Sequence, residues 1–303
     1  MEPIKEKRLI VIVGPTASGK TALAIDLAKK LQTEIISADS RQIFKELEIG
    51  TAKPSQRELA EVPHHFINTH SITQQYDAAQ FGRDALALIN DLFKTKNDLI
   101  LCGGSGLYIK AVCEGFDDIP PIDPEVRQHL NAQFETNGLG WLQDQLVGLD
   151  PEQFGRIDSQ NPHRLIRALE VKIGTGQSIR EFRNHKKLEH PFTIIKIGLD
   201  LEKEELYSRI NIRMDKMIEK GLFEEAKKVE PYKDHQALQT VGYREIFDFF
   251  DGLYDYEEAV RLLKRNSRRY AKRQLTWFKR DEEIQWFHSN SLYEIGNQLE
   301  FKS

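Results

Sequence analysis

The stretch Leu9-Ile-Val-Ile-Val-Gly-Pro-Thr-Ala-Ser-Gly-Lys-Thr21 decides the fold. Its apolar run Leu9 to Val13 predicts a buried strand, Thr21 to Leu31 predicts a helix, and the residues between fit the pattern G-x-x-x-x-G-K-[ST]. In that pattern Gly14, Pro15, Thr16, Ala17, Ser18, Gly19, Lys20 and Thr21 form a loop that wraps an anion. Glycine lets the backbone curl so that N–H groups and a helix N-terminus point at one phosphate cluster, while Lys20 adds a point charge. Thr21 supplies a hydroxyl suited to magnesium. Strand, loop and helix together imply a di- or triphosphate ligand and leave the reaction open.

Working outward, 303 residues suit one large α/β domain with an insertion, or two domains. Two cysteines, Cys102 and Cys113, are too few for a disulfide framework or a zinc cluster. The start, Met1 to Arg8, is polar and charged, and no run approaches membrane-spanning length, so a cytoplasmic protein without membrane contact is expected. The formal net charge of −4 gives no overall attraction to nucleic acid. Charge is nevertheless segregated: Arg261 to Arg280 contains no acidic residue. Helical spacing puts Arg261, Arg265, Arg268 and Lys272 on one side, while Leu262, Tyr270, Trp277 and Phe278 offer apolar and stacking surface. Such a face suits polyphosphate.

The order of elements is that of a parallel sheet with helices on its faces. A second strand, Glu34 to Ser37, runs into Ala38-Asp39-Ser40-Arg41-Gln42; a helix is predicted over Asp77 to Phe93 and a third strand over Leu99 to Cys102, followed by Gly103-Gly104-Ser105-Gly106. After Gly115 the texture becomes helical, with Glu125 to Phe134, Trp141 to Leu149 and Pro162 to Val171. Thr193 to Leu199 restores the sheet, and long helices are predicted from Lys203 to Val229 and from Tyr256 to about Lys279. The fold class is therefore α/β: a P-loop NTPase-like parallel sheet flanked by helices, with a mostly helical insertion. Residues 1–115 form the first part of the core, 116–190 the insertion, read as a lid, and 191–303 the completion of the core with its basic helices. The nine histidines show no metal-ligand spacing, and His64-His65 reads as part of a structured turn.

Ligands of such sheets gather at the carboxyl ends of the strands, which places Thr16 to Thr21, Asp39 and Ser105 around one crevice. An ATP-hydrolysing protein of this class normally carries an acid at the end of an apolar strand to hold magnesium, whereas Leu99 to Cys102 ends in Gly-Gly-Ser. Asp39 is the carboxylate best placed to take a proton from an attacking nucleophile, and Asp-Ser sequences also favour plain turns. A kinase base and the base of another phosphate-leaving reaction look alike at this point.

Seven blocks, in order, carry a resemblance: Gly14 to Thr21, Ser37-Ala-Asp-Ser-Arg-Gln-Ile43, Ile49-Gly-Thr-Ala-Lys-Pro54, Gly103-Gly-Ser-Gly-Leu-Tyr108, His163-Arg-Leu-Ile-Arg-Ala-Leu-Glu170, Val241-Gly-Tyr-Arg-Glu245 and Tyr270-Ala-Lys-Arg-Gln-Leu-Thr-Trp-Phe278. They cover the chain nearly end to end, and together it resembles the bacterial tRNA dimethylallyltransferase family. The resemblance implies transfer of a five-carbon group from dimethylallyl diphosphate to the exocyclic amine of the adenine at tRNA position 37, with Mg²⁺ and release of diphosphate. The partners it implies are the tRNA anticodon stem-loop and dimethylallyl diphosphate, acted on by a monomer.

By that resemblance Asp39, Ser105 and Arg213 are catalytic, and Thr21 is the metal ligand. Asp39, Ser40, Arg41, Gln42 and Ser105 meet the nucleotide, and the insertion contributes Arg127, His163, Arg164, Leu165, Ile166 and Arg167 to tRNA contact, with Arg164 and Arg167 ahead of His163. Ser105 stands where the family often has threonine and keeps the hydroxyl; Phe44 stands where tyrosine is common and loses one. The target base must leave the anticodon-loop stack to meet the allyl carbon.

Overall fold

A computed structural model describes residues 6–117, 119–183, 188–289, 294–296 and 299. Along the chain lie β1 (Arg8–Val13), α1 (Lys20–Leu31), β2 (Ile35–Ser37), α2 (Gln56–Glu61), β3 (His64–His65), α3 (Ala78–Leu92), β4 (Asp98–Cys102) and α4 (Gly106–Cys113). Then come α5 (Pro124–Leu149), α6 (Pro151–Phe154) and α7 (Pro162–Thr175), followed by β5 (Thr193–Asp200), α8 (Lys203–Glu219), α9 (Leu222–Val229), α10 (Arg244–Phe250), α11 (Tyr256–Phe278) and β6 (Gln285–His288). Two compact units result, Met1–Gly115 with Leu188–Ser303, and Phe116–Lys187.

The first unit is an α/β core. Its six strands lie in the order β3-β2-β4-β1-β5-β6, and every pairing is parallel. β1 is central, with Leu9 beside Leu99 on one neighbour and Ile194 on the other. Because the sheet is covered on both faces, its strand is apolar throughout rather than alternating. Leu9, Val11 and Val13 pack towards Phe81, Ala85 and Ile89 of α3, while Ile10 and Ile12 pack towards Leu23 and Leu27 of α1. At about 1.5–3 kcal/mol for each fully buried aliphatic side chain, this double coverage holds the carboxyl end of β1 in place for the loop that follows it.

The second unit is helical and has its own core. Leu130, Leu142 and Leu146 of α5 pack with Leu165, Ile166 and Leu169 of α7. Gly138, at φ 73°, breaks α5 into two helical stretches, where the sequence left a gap between Phe134 and Trp141. Asn161 caps α7 by accepting from the Arg164 N–H, with Pro162 in the first turn; an interaction of this kind is worth about 1 kcal/mol.

Several elements differ from the sequence-based expectation. The helix expected over Lys203 to Val229 is two helices, because Gly221 adopts φ 96° and starts α9 afresh. His64-His65 is a two-residue edge strand: the His65 Nε2 meets Glu34 at 2.7 Å and the His64 Nδ1 meets the Val62 carbonyl at 2.8 Å. Strand β6, with Trp286 beside Gly198, extends the sheet beyond β5. Its four residues, Gln-Trp-Phe-His, are too few and too mixed to declare a strand.

Candidate active site

The phosphate loop leaves β1 through Gly14, whose φ is 149° and where a Cβ would stand 2.7 Å from the Leu199 carbonyl oxygen. Neighbouring β5 therefore leaves room for glycine alone. Ala17 adopts φ 65°, and Gly19, at φ 94°, is the N-cap of α1. That helix starts with no side-chain cap and no acid in its first turn, so its N-terminal N–H groups and positive dipole end face the loop. The Ser18 hydroxyl is fully buried without a hydrogen-bond partner, packed against Gly14 at the back of the loop. Lys20 turns its ammonium onto the Pro15 carbonyl at 2.6 Å. Burial above all, and the charge of Arg213, push its pKa down to about 8 against the opposing pull of Cys102 and Asp39.

Asp39 follows β2. Its Oδ1 accepts from the Arg41 N–H at 2.9 Å and the Gln42 N–H at 3.3 Å, an Asx-type turn. The two roles that the sequence left open for it, base and turn residue, are therefore compatible, since both turn bonds go to Oδ1 and the residue also lines the cleft. The Ser105 hydroxyl accepts from the Ser40 N–H at 2.9 Å and donates to the Ser40 hydroxyl at 3.1 Å. Ser40 and Ser105 thus bind each other, and neither lines the cavity. Their geometry ties the Asp39 loop to the turn after β4, where Gly103 lies directly on the Ala38 carbonyl. Gln42 is likewise engaged: its Nε2 donates to the Thr51 and Ala52 carbonyls at 3.3 and 3.2 Å, and its Oε1 accepts from the Ser37 hydroxyl at 3.2 Å.

These loops open on one cleft with a cavity volume of about 170 Å³. Lys20, Arg41 and Arg213 face it with a single acid, Asp39, and that excess of positive charge suits a diphosphate. Burial lowers the pKa of both arginines, with Tyr270, Asp39 and Tyr108 opposing the shift at Arg41 and Asp39 opposing it at Arg213. Arg213, on α8, would pass for a helix-surface residue in the sequence; the fold brings it to the same cleft as Lys20 and Asp39. Thr21 also lines it. Among the described residues no group of three or more His, Cys, Asp or Glu could hold a metal, so a magnesium ion here would depend on the ligand's own oxygens with Thr21 as a protein donor.

Sequence reasoning missed Gln274 as a site residue. Buried on α11, it accepts from the Thr16 N–H at 2.9 Å and donates to the Gly104 carbonyl at 2.9 Å, joining the two glycine loops. A signal existed: Ser267 and Gln274, seven residues apart, are polar positions on a stripe otherwise made of Ala259, Leu263, Ala271 and Phe278. Buried polar residues on a core-facing stripe need partners.

In the helical unit His163 and Arg164 are exposed, and Arg127 and Arg167 share the buried Glu170 carboxylate at 3.1 and 2.9 Å. Leu165 and Ile166 are buried in that unit's core, so their side chains orient α7 rather than offer a surface to RNA. The basic helix also needs correction. Arg261 pairs with Glu258 on its own helix, and Arg268 donates to Asn211 of α8 at 2.6 Å and lies over Tyr207. The expected face therefore turns partly into the protein, because α8 packs where the sequence showed only charge. Arg269, Lys272, Arg273 and Arg280 are exposed.

Comparison with known proteins agrees with this geometry. Residues 42–281 match the IPP transferase family. A Cytophaga hutchinsonii protein named tRNA dimethylallyltransferase is 52% identical over 296 residues, 98% of this chain and 97% of its own length. One of the same name from Christiangramia forsetii is 53% identical, covering 92% of each chain. Among solved structures, the full-length tRNA isopentenylpyrophosphate transferase of Bacillus halodurans is 40% identical with a TM-score of 0.73, covering 98% of this chain and 97% of its own. A eukaryotic dimethylallyltransferase acting on tRNA is 25% identical with a TM-score of 0.79, over 95% of this chain and 75% of its own. A diphosphate cradle facing a carboxylate, on a chain matched end to end by such relatives, means that the protein belongs to the IPP transferase family.

Proposed function

We propose that this enzyme transfers the dimethylallyl group of dimethylallyl diphosphate to the N6 amine of the adenine at tRNA position 37, beside the anticodon, releasing diphosphate. The observation that carries the reading is the meeting, in one cleft, of the phosphate loop with Lys20, Arg213 and Asp39. The carbon–oxygen bond to the diphosphate breaks while the N6–carbon bond forms. The amine proton passes to Asp39 Oδ2, and the electron pair leaves with the diphosphate. Charge grows on the leaving oxygens, where the loop N–H groups, Lys20 and Arg213 stabilise it without reorganising. Thr21, on the cleft wall, would hold a magnesium ion brought by the diphosphate, and that ion would supply further neutralisation of the leaving group. The weak amine nucleophile makes in-line placement as important as basicity. Ser105 and Ser40 serve that placement by tying the Asp39 loop to α4.

Exposed His163 and Arg164, with Arg127 and Arg167 beside Glu170, suit a phosphate backbone, as do Arg269, Lys272 and Arg273 on α11. Among the described residues no helix is long and apolar enough to cross a membrane, and both cysteines are buried free thiols; the proposal has the enzyme act on tRNA in the cytoplasm as a monomer. The test offers labelled dimethylallyl diphosphate with Mg²⁺ to unmodified tRNA and, in separate tubes, to AMP or ATP. The reading expects label in tRNA at the adenine N6 and none in the nucleotides; label in AMP or ATP alone would overturn it.

A further inference from the structure

The cleft has a second wall, built from three distant stretches of the core. Its face towards the cavity is the loop Gly50, Thr51 and Ala52. Behind that loop stands the Glu225 carboxylate of α9, which accepts from the backbone N–H groups of Glu48, Ile49 and Gly50 at 2.9, 2.7 and 2.9 Å. A fourth donor, the Tyr243 hydroxyl, reaches the same carboxylate at 2.6 Å. Tyr243 is fully buried, and its ring lies so close to Gly50 that a Cβ there would stand 2.5 Å from the phenol oxygen. Behind Tyr243, the buried Glu245 accepts from the Gly242 N–H at 2.8 Å and from the Asn266 side chain of α11 at 2.7 Å.

Four donors on one half-buried carboxylate are more than packing requires. A carboxylate so engaged fixes the position of everything bonded to it, because charge-assisted hydrogen bonds are short and directional. The bonds continue towards the chemistry. The Thr51 and Ala52 carbonyls hold the Gln42 side chain, and the Gln42 N–H holds Asp39 Oδ1.

We propose that Glu225 and Tyr243 are positioning residues for the transfer: they fix the loop Glu48 to Ala52, which through Gln42 sets where the Asp39 carboxylate presents its second oxygen. The inference rests on Asp39 being the base. Val241-Gly-Tyr-Arg-Glu245, whose Val241, Gly242 and Tyr243 themselves line the cleft, then has a physical role in the site.

A double-mutant cycle tests it. Tyr243→Phe keeps the ring on Gly50 and removes one hydrogen bond; Glu225→Gln keeps the shape and removes the charge. Each is made alone and with Asp39→Asn, and single-turnover transfer to tRNA is measured at saturating substrates, with tRNA affinity and melting temperature beside it. Misplacing a catalytic group by about 1 Å costs roughly 10²-fold, so rates should fall about 10-fold for Tyr243→Phe and up to about 100-fold for Glu225→Gln, with affinities within about threefold. With Asp39→Asn already present, the same substitutions should cost less than about threefold. Equal losses in both backgrounds, or losses confined to affinity, would overturn the inference and leave the base intact. A wild-type rate for Asp39→Asn alone would overturn the base and the inference together. Should Glu225→Gln fail to fold, the Tyr243→Phe cycle alone decides.

Discussion

The loop Gly14 to Thr21 and the loop Glu48 to Ala52 face the same cleft, yet they are held in different ways. The first takes most of its conformation from its own glycines, from β1 before it and from α1 after it, with Gln274 and Leu199 as its distant contacts. The second closes a turn of its own, the Ala52 N–H donating to the Ile49 carbonyl at 3.0 Å and the Thr51 hydroxyl to the Leu47 carbonyl at 2.7 Å, and is held besides by distant residues. Its amides are held by Glu225 and its Gly50 is pressed on Tyr243, residues well over a hundred positions away along the chain. One wall of the cleft thus leans mostly on sequence neighbours, the other more on tertiary contacts. The contrast suits the chemistry, since a diphosphate needs a standard cradle whereas an amine must be placed against one particular carbon.

The comparison breaks most sharply at Asp39. Asp39→Asn keeps an oxygen for the turn with Arg41 and Gln42 and removes the proton acceptor, so transfer should fall by about 10³-fold, within the 10²–10⁴ range of general-base catalysis. Filter binding of tRNA should stay within a few-fold of wild type; a matching loss of binding would mean that Asp39 belongs to recognition instead.

Gln274 tests whether the phosphate loop is as self-sufficient as it looks. Gln274→Glu still accepts from the Thr16 N–H but loses the donor to Gly104 and sets a negative charge beside the cradle. Steady-state kinetics should show kcat/KM for dimethylallyl diphosphate falling about 100-fold, against about 10-fold for Gln274→Ala. Equal effects of the two would show that charge at this point does not reach the diphosphate.

In the helical unit, Arg164→Ala with Arg167→Ala should raise the KM for tRNA about tenfold and leave that for dimethylallyl diphosphate unchanged, with a shallower salt dependence of tRNA binding. Leu165→Ala should act differently, lowering stability by about 2–4 kcal/mol in denaturant titration, because that side chain is fully buried.

The smallest expected effect is one of pH. With Lys20 held near 8 by burial, its proton is lost as pH rises through that value, so the free site binds an unreactive dimethylallyl diphosphate analogue less tightly at pH 9 than at pH 7. The decline should be about 10-fold at most, and calorimetry should record proton uptake on binding above pH 8. Lys20→Met should flatten the profile. Lys53, also lowered to about 8 by burial, donates instead to the Phe44 carbonyl and Asn68, so a slope that survives in Lys20→Met belongs to it.

The same division explains what could be read in advance. Gly14 to Thr21, the β1 strand and the parallel order of elements were legible because their causes are local: spacing, glycine and apolar runs. Asp39 was legible as a carboxylate after a strand, and its turn through Oδ1 on the wall of the cleft needed coordinates. Resemblance alone pointed to Arg213, since a helix-surface arginine and a cleft arginine share one pattern until α8 is placed. Nothing near Glu225 marks it, because its four donors come from Glu48, Ile49, Gly50 and Tyr243. The face assigned to Arg261, Arg265, Arg268 and Lys272 shows the converse error, where a charge run was legible and the packing of α8 against it was not.

In the proposed reaction this phosphate loop stabilises a leaving diphosphate instead of presenting a phosphoryl donor. The most direct test is stoichiometry in a single turnover, with labelled dimethylallyl diphosphate, unmodified tRNA and ATP in one tube. The account predicts one diphosphate released for each dimethylallyl group gained by tRNA, at the same rate, with ATP untouched; phosphate transferred from ATP, or label in tRNA without matching diphosphate, would contradict it.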